Sequence, residues 1–510
     1  VERIDVEETH ISLVFLAGEY VYKVKKPVNF GFLDFSTLEQ RRFFCEQEVL
    51  LNQRLTDGVY LGVVPIARIG SHLRVEAPGE VVEYAVKMRR LDFEQTLLRR
   101  LQRDAVSMEL LAALADRLAE FYRAAARSPE IDRWGTPEAV WFNIRENLDQ
   151  TEPYIGVVLA PLQHRWIASI SERFLRERLD LFQRRIAEGR IVEGHGDLHL
   201  AHVFVESDSP PRFQIVDCIE FNPRLRCGDV AVDLAFLSMD FDHHGRSDWA
   251  RWLTLRASDA LDDPELPLLV HFYSVYRAHV RNKVNCFRLD ELAPESDEFA
   301  AVRTQAERYI DLATSYLVEP AEPLLLLVGG LSGTGKSALA RRLARCLSIP
   351  VYSSDIIRKE LAGVARERRA ELPYGADIYG PELTRATYRT LLDRAAAELA
   401  AGRSVVLDAT FLDREWREAA RALAAQYGAR PMLVECCCPA EIVAERLRYR
   451  AQEPGQASEA TWPIYLEQRA RYGEAMEPIA GLEHRTVDTA QPLPLVLDVV
   501  LSWLPLRERL

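Results

Sequence analysis

The sequence predicts two unlike halves on one chain: an α+β region with a small sheet lobe and a mostly helical lobe, then an α/β domain with a doubly wound parallel sheet. Three observations predict this. Short apolar runs crowd the segment from His10 to Met88, whereas Leu/Ala patterns at helical spacing dominate from Val106 onward. The composition then breaks at Leu317-Val318-Glu319-Pro320-Ala321-Glu322-Pro323, where two prolines and two acids mark a linker. Beyond it Leu324–Val328 is an uninterrupted apolar run, as a buried parallel strand requires, and strand and helix signals alternate afterwards. The expected boundaries are 1–318 for the first domain (small lobe about 1–90, helical lobe about 91–318), 319–323 for the linker and 324–510 for the second domain.

The elements follow in order. Ile11–Leu16 and Tyr20–Lys25 flank a turn at Ala17-Gly18-Glu19 and read as a hairpin. A helix is expected from Thr37 to Leu55 with Ser36 as its N-cap, then a strand at Glu83–Met88. Helices are expected over Val106–Ala126, Trp166–Glu188, Asp248–Ala260 and Leu268–Arg288. In the second domain Ile349–Ser353, Val405–Leu407 and Pro431–Cys437 read as strands, with Ala/Arg/Leu-rich helices between them.

With 48% hydrophobic and 28% charged residues the chain is of ordinary globular type. The net charge of −13 argues against a nonspecific grip on duplex DNA, which needs a basic footprint. No apolar run approaches the ~20 residues that span a bilayer, and the start carries no signal-peptide pattern, so no membrane partner is expected. The eight cysteines form no Cys-x-x-Cys pair, and Cys436-Cys437-Cys438 reads as strand packing. A reducing, cytoplasmic compartment is the expectation.

The first chemical motif is His195-Gly196-Asp197-Leu198-His199. Phosphoryl transfer needs a metal-held triphosphate, a positioned acceptor hydroxyl and a cation on the phosphates. Asp197 is the candidate general base, set in a loop by Gly196, with His195 as a hydrogen-bonded brace. A hairpin of Val203–Val205 and Phe213–Val216, turned at Asp208-Ser209-Pro210-Pro211, would return Asp217 beside it, where Asp217 could hold Mg²⁺. Farther on stands Gly228-Asp229-Val230-Ala231-Val232-Asp233-Leu234-Ala235. These linked motifs, over roughly residues 10–315, resemble the aminoglycoside phosphotransferase family, a branch of the protein-kinase-like fold. The resemblance implies that Asp197 is catalytic, Asp217 a metal ligand and Asp233 a buttress of the catalytic loop. It also implies Lys23 as the strand lysine on the phosphates of ATP, Glu48 as its helix partner, and the run from Met88 as the hinge near adenine. Lys25 shares the strand face of Lys23 by period-two geometry, so either lysine can fill that place. One departure matters: where the family has an Asn that holds the second metal, this chain has His202, and imidazole is a poor ligand for Mg²⁺. A one-metal kinase, a site rescued by a carboxylate such as Glu220, and a silent head all remain open. Arg277, Arg281 and Lys283 lie on one helix that is either a solvated face or a wall of the acceptor pocket.

The second motif is Gly330-Leu331-Ser332-Gly333-Thr334-Gly335-Lys336-Ser337, a complete Walker A loop between a strand and a helix. Backbone amides and the helix N-terminus cradle phosphates in such a loop, Lys336 reaches the β/γ-phosphates, and Ser337 coordinates Mg²⁺. Asp355, just past the next strand, is the second candidate base, or an N-cap, or both; Arg358 would orient the acceptor. Asp408, ending Val405-Val406-Leu407, is a candidate for the Mg²⁺ water shell. Arg446 and Arg450 share a helix face at i, i+4 and read as lid arginines or as a solvated face. This half, about residues 322–500, resembles the P-loop kinases that include polynucleotide kinases, zeta-type toxins, chloramphenicol phosphotransferases and gluconate kinases. The domain order resembles bacterial aminoglycoside phosphotransferase/ATP-binding fusions.

The expected function is a two-headed ATP- and Mg²⁺-dependent kinase acting on a small-molecule hydroxyl. Two rivals are a 5′-hydroxyl nucleic-acid kinase in the P-loop half, with Arg358, Arg366, Arg368 and Arg369 on its groove, and a regulatory nucleotide-binding protein with one inactive head. Neither the acceptors nor the oligomeric state follow from the sequence.

Overall fold

The computed structural model describes residues 4–31, 33–363, 380–450, 461–472 and 476–510, with only the backbone at 450 and 472. Contacts divide the chain into two compact units, 1–144 with 174–277, and 145–173 with 278–510. The helix Asp297–Leu317 and residues 145–173, expected in the first domain, thus cluster with the P-loop half. No described helix is long and apolar enough to cross a membrane.

The first unit opens with a six-stranded antiparallel sheet in the order Asp5–Glu8, Ser12–Ala17, Tyr20–Lys25, Glu80–Arg89, Tyr60–Ile69, His72–Val75. The helix Leu38–Asn52 packs on it, placing Cys45 against Val59, Tyr60 and Val86. Its cap is Thr37 rather than Ser36: the Thr37 hydroxyl accepts from the Gln40 amide while the Gln40 side chain reaches back to the Thr37 amide. Ser36 instead donates its amide to Asp34, so the chain is still in a turn there. The helix expected over Trp166–Glu188 is two, Pro161–Glu177 and Leu179–Ala187, because Arg178 leaves helical geometry at φ −119, ψ 28. That bend brings Phe174, Phe182 and Phe272 into one aromatic cluster.

The second unit is built on a five-stranded parallel sheet in the order Val351–Ser353, Val405–Asp408, Leu324–Gly329, Arg430–Cys437, Glu483–Asp488. Every residue of Leu324–Gly329 is buried, as its apolar run demands, with helices on both faces of the sheet. The edge strand Glu483–Asp488 escaped sequence analysis because only Val487 in it is buried. The expected linker starts inside a strand: Val318–Pro320 pairs antiparallel with Leu506–Glu508. Its acid does not signal solvent, since Glu319 is answered by Arg507 at 2.7 Å and Arg509 at 3.5 Å.

The helix that follows the glycine loop, Lys336–Leu347, is anchored by a buried ionic cluster. Arg342 donates to Asp311 at 2.8 Å, Arg345 lies 2.8 Å from the same carboxylate, and Gln163 donates to it at 3.1 Å. Burial would raise the Asp311 carboxyl, but the two guanidinium groups outweigh it and hold it below the ordinary value. Asp311→Ala leaves buried Arg342 short of its main counter-charge, so the second unit should lose about 3–5 kcal/mol. Chemical denaturation followed by tryptophan fluorescence reads this out; an unchanged midpoint would show that the cluster contributes nothing.

Candidate active sites

In the first unit a three-residue strand, Ile191–Glu193, delivers the His195–His199 loop, and the helix Val230–His243 holds that loop from behind. Asp233 accepts the amides of His195 at 2.6 Å and Gly196 at 2.8 Å, and two turns farther along the same helical face Asp240 accepts that of Leu200 at 3.0 Å. Gly196 sits at φ +88, and a Cβ there would stand 2.8 Å from the Leu225 carbonyl oxygen, so only glycine lets the loop close this tightly. His195 is buried between the Asp197 amide, 3.2 Å from its Nδ1, and the Val216 carbonyl, 3.0 Å from its Nε2. Burial pushes its imidazole down to about 4, so it is a neutral brace.

The expected hairpin is present as Val203–Asp208 and Pro211–Ile215, and it brings Asp217 to the loop. Asp217 is held at φ +66 with its amide donated to the Tyr60 hydroxyl at 3.2 Å. Lys23 Nζ stands 2.7 Å from Asp217 Oδ1 and 2.9 Å from Glu48 Oε1. Lys25 does not replace Lys23 but adds to it: its ammonium lies 2.7 Å from Glu48 Oε2, contacts Glu220, and is fully buried. Glu48 therefore bridges two lysines, while only Lys23 reaches Asp217. Burial alone would raise the Asp217 carboxyl; Lys23 overrides it and holds the group far below its usual range. Burial likewise would lower the Lys23 ammonium, and Asp217 with Glu48 lifts it well above the ordinary lysine value. Asp197 faces this group from the loop, its Oδ2 3.5 Å from His202 Nδ1 and 3.7 Å from His199 Nε2. Met88 lies on the strand Glu80–Arg89 opposite Val21 and packs on the Cys45–Val86 cluster.

The helix read as either a solvated face or an acceptor wall has its basic side chains engaged within the fold. Arg277 is buried, donates to the Val232 carbonyl at 3.1 Å and stacks on Phe236. In the second unit Arg281 stacks on Tyr309 and Lys283 donates to Asn147 at 2.6 Å.

In the second unit the loop from Gly330 to Gly335 joins the central strand to the helix starting at Lys336. Gly330 adopts φ +128, and a Cβ there would sit 2.4 Å from the Cys436 carbonyl oxygen. Within the loop Thr334 Oγ1 and Lys336 Nζ both donate to the Leu331 carbonyl, at 2.8 Å and 2.7 Å. The Ser332 amide is taken by Gln468 Oε1 at 2.9 Å. Asp408 ends its strand in register with Val328 and hydrogen-bonds the side chains of Ser337 and Ser353; burial pushes its carboxyl above the usual range, while Ser337 and Lys336 pull it back.

From Ser332, Gly333, Lys336 and Ser337 one cleft runs past Asp408 to Asp355 and Arg358. Asp355 lies in the first turn of the helix Ser354–Leu361; Ser353, not Asp355, is the capping residue, so the N-cap alternative drops out. Arg358 donates to Thr384 at 3.1 Å. Arg446 flanks the loop: its Nη1 is 3.4 Å from where a Gly335 Cβ would stand, and its Nη2 donates to the Thr489 carbonyl at 2.6 Å. The Arg450 side chain and Arg366, Arg368 and Arg369 lie outside the described residues. Gln468, Thr384, Tyr388 and Trp416, not expected from the sequence, also line this cleft, the last two stacked at 4.9 Å. Thr384 and Tyr388 carried a signal, their i, i+4 spacing on the helix Pro381–Ala400.

The donor sets differ in what they fit. A narrow loop closed to any Cβ, with a lysine at its end, suits the phosphates of ATP. Mg²⁺ takes oxygen donors, which the Ser337 hydroxyl and Asp408 carboxylate supply. In the first unit Asp217 satisfies that preference and the His202 imidazole does not.

These features define the class. The second unit contains a P-loop α/β domain, matched over residues 325–475 by the family model described as AAA domain, and the first joins an antiparallel sheet lobe to a mostly helical lobe that carries the His195–His199 loop. The chain is 35% identical over 491 residues to the uncharacterised protein Rv2004c of Mycobacterium tuberculosis, covering 96% of this chain and 93% of that one. It belongs to the family of that mycobacterial protein. Among solved structures, a sugar kinase from Janibacter sp. HTCC2649 is similar at 22% identity and TM-score 0.27, covering 36% of this chain and 94% of that one. A choline/ethanolamine kinase family protein from Mesorhizobium loti is similar at 14% identity and TM-score 0.37, covering 61% and 88%.

Because neutral His195 is buried, acid should weaken the first unit. Its folded pKa, about 4, lies below the ordinary 6.5, so its contribution is complete above pH 6.5 and is lost as pH falls towards 4. The loss amounts to about 3 kcal/mol at most. Denaturation midpoints of wild type and His195→Gln at pH 7 and 4.5 measure it: the variant should show the shallower pH slope, and equal slopes would contradict a neutral buried ring.

Proposed function

We propose that this protein is a two-headed phosphotransferase that moves the γ-phosphoryl group of ATP to a hydroxyl of a small molecule at each head. The observation that carries the reading is the single cleft joining Lys336 and Ser337 at one end to Asp355 and Arg358 at the other, with room for a phosphate donor and an acceptor together. A divalent cation bound with the nucleotide supplies charge neutralisation on its phosphate oxygens. The rest falls to side chains of the chain itself. Lys336, released from the Leu331 carbonyl, binds the terminal phosphates; Asp355 accepts the proton of the acceptor hydroxyl; Arg358 orients that acceptor. In the first unit Lys23, fixed by Glu48, takes the phosphates and Asp197 receives the hydroxyl proton.

A small acceptor is favoured over a nucleic-acid end by the lining of the cleft. Asp355, Asp408, Asp413, Glu415 and Glu467 interrupt the positive charge of Lys336, Arg358, Arg385 and Arg471. A strand-tracking groove needs one sign of charge. A second reading, in which the first unit binds nucleotide without turnover, is favoured by His202 and by the contact of Lys23 with Asp217.

The test incubates full-length protein with ATP labelled with oxygen-18 on the γ-phosphate and a small-molecule extract, reading labelled products by mass spectrometry. Wild type runs beside Asp197→Asn and Lys336→Ala. One product lost with each variant supports two active heads. Products that all depend on Lys336 leave the first head as a binding unit, and no labelled product at all sinks the proposal.

A further inference from the structure

Three imidazoles line the Asp197 loop, and their hydrogen bonds assign them different chemistry. His195 Nδ1 accepts from the Asp197 amide at 3.2 Å, so its proton sits on Nε2, which faces the Val216 carbonyl at 3.0 Å. His199 Nδ1 accepts from the Ala201 amide at 3.3 Å, so its Nε2 carries the proton and faces Asp197 Oδ2 at 3.7 Å. Both spend the Nδ1 lone pair on the loop backbone. His202 is reversed. Its Nδ1 stands 3.0 Å from the Asp197 carbonyl oxygen, which can only accept, so Nδ1 is the protonated nitrogen. The lone pair is left on Nε2, which lies 3.7 Å from Asp217 Oδ2.

We infer that His202 Nε2 and Asp217 Oδ2 are two donors to one first-row divalent transition ion, which this head takes in preference to Mg²⁺ and for which Mn²⁺ serves as the paramagnetic probe. Donors held about 2.0–2.2 Å from a common ion stand roughly 3–4 Å apart, which is the spacing here. Both donors are already aimed. A ligating histidine ordinarily gives its other N–H to a carbonyl or carboxylate, fixing tautomer and ring, and the Asp197 carbonyl does this for His202. Asp217 is divided in the same sense: Lys23 takes Oδ1, the Tyr60 hydroxyl holds the backbone, and Oδ2 is the oxygen turned to His202. Hard Mg²⁺ gives up water reluctantly and favours oxygen, whereas imidazole raises affinity for the transition ions. Sequence alone showed His202 as a misfit for Mg²⁺; the tautomer and the Asp217 geometry make it a ligand for something else.

The inference rests on the nucleotide-head reading only for the remaining donors, the phosphate oxygens, and its readout is ligation, not turnover. Full-length protein is loaded with Mn²⁺ and a non-hydrolysable ATP analogue and examined by pulsed EPR. Expected is nitrogen modulation from a directly bound imidazole, lost in His202→Asn and kept in His199→Gln. The P-loop site offers oxygen donors, Ser337 and Asp408, and does not produce this signal. In parallel, competition binding should show the Mn²⁺/Mg²⁺ preference falling about tenfold or more in His202→Asn. Absence of nitrogen modulation in wild type, or its survival in His202→Asn, overturns the inference. Modulation present in a protein that makes no product at the first head leaves the cation site standing and removes only the kinase reading of that head.

Discussion

Lys336→Ala is expected to cut labelled product at the second head by about 10²–10³-fold, the loss typical of removing one preorganised charge from a phosphoryl-transfer or oxyanion site. Lys336 is the first residue of the helix that follows the glycine loop. Its ammonium is buried and donates to the Leu331 carbonyl within the loop, 2.7 Å away. That charge-assisted contact is worth about 1.5–3 kcal/mol, less than the stability of a typical domain, so its removal should not unfold this one. The loop keeps its shape through Thr334, which bonds the same carbonyl, and through Thr489, which donates to the Thr334 carbonyl. Alanine thus deletes the only loop side chain able to place a positive charge on the terminal phosphates and leaves the amide cradle in place. Turnover measured at saturating ATP, beside a thermal melt as a folding control, checks it. Undiminished turnover with an intact fold would mean that phosphate charge is met elsewhere, with Arg358 or Arg446 the first candidates.

Asp197→Asn is expected to remove about 10²–10⁴-fold of the first head's turnover while leaving nucleotide affinity within a few-fold of wild type, as loss of a general base does. The separation of effects comes from the partners. Lys23, Glu48 and Asp217 form their own ion cluster, and the Asp197 carboxylate faces His199 and His202 instead. Asparagine preserves size, and the Asp197 amide and carbonyl continue to serve His195 and His202. Nucleotide binding by calorimetry, set against product formation by mass spectrometry, tells the two apart. A large fall in affinity with unchanged turnover per bound nucleotide would make Asp197 a binding residue and not a base.

Much of the geometry around both candidate sites was legible because the residues concerned lie in short local patterns. The apolar strand, the glycine loop and Lys336 are contiguous, and the hairpin carrying Asp217 announced itself through its turn and two apolar runs. Where side chains meet across long sequence distances, the pattern ran out. Period-two spacing put Lys23 and Lys25 on one face and could not say that Glu48 serves both, because that depends on Glu220 arriving from a loop far along the chain. The Arg446 side chain could not be placed, since its partner Thr489 follows a strand with a single buried residue and no apolar run to betray it. Gln468 and Trp416 reach the cleft from helices whose charged faces look like any solvated surface.

The tether between Asp311 and Arg342 has a bearing on where the chain can be divided as well as on stability. A P-loop half copied out at the proline-marked junction, from Leu324 onward, would carry Arg342 and Arg345 but leave behind Asp311 and Gln163, and the strand Leu506–Glu508 would lose its mate Val318–Pro320. Such a fragment begins life with a charge sealed in its interior and an uncovered strand edge. A cut placed before Asp311 would keep the counter-charge and the strand partner on the same piece, so the proline-marked junction is not where this half becomes self-sufficient.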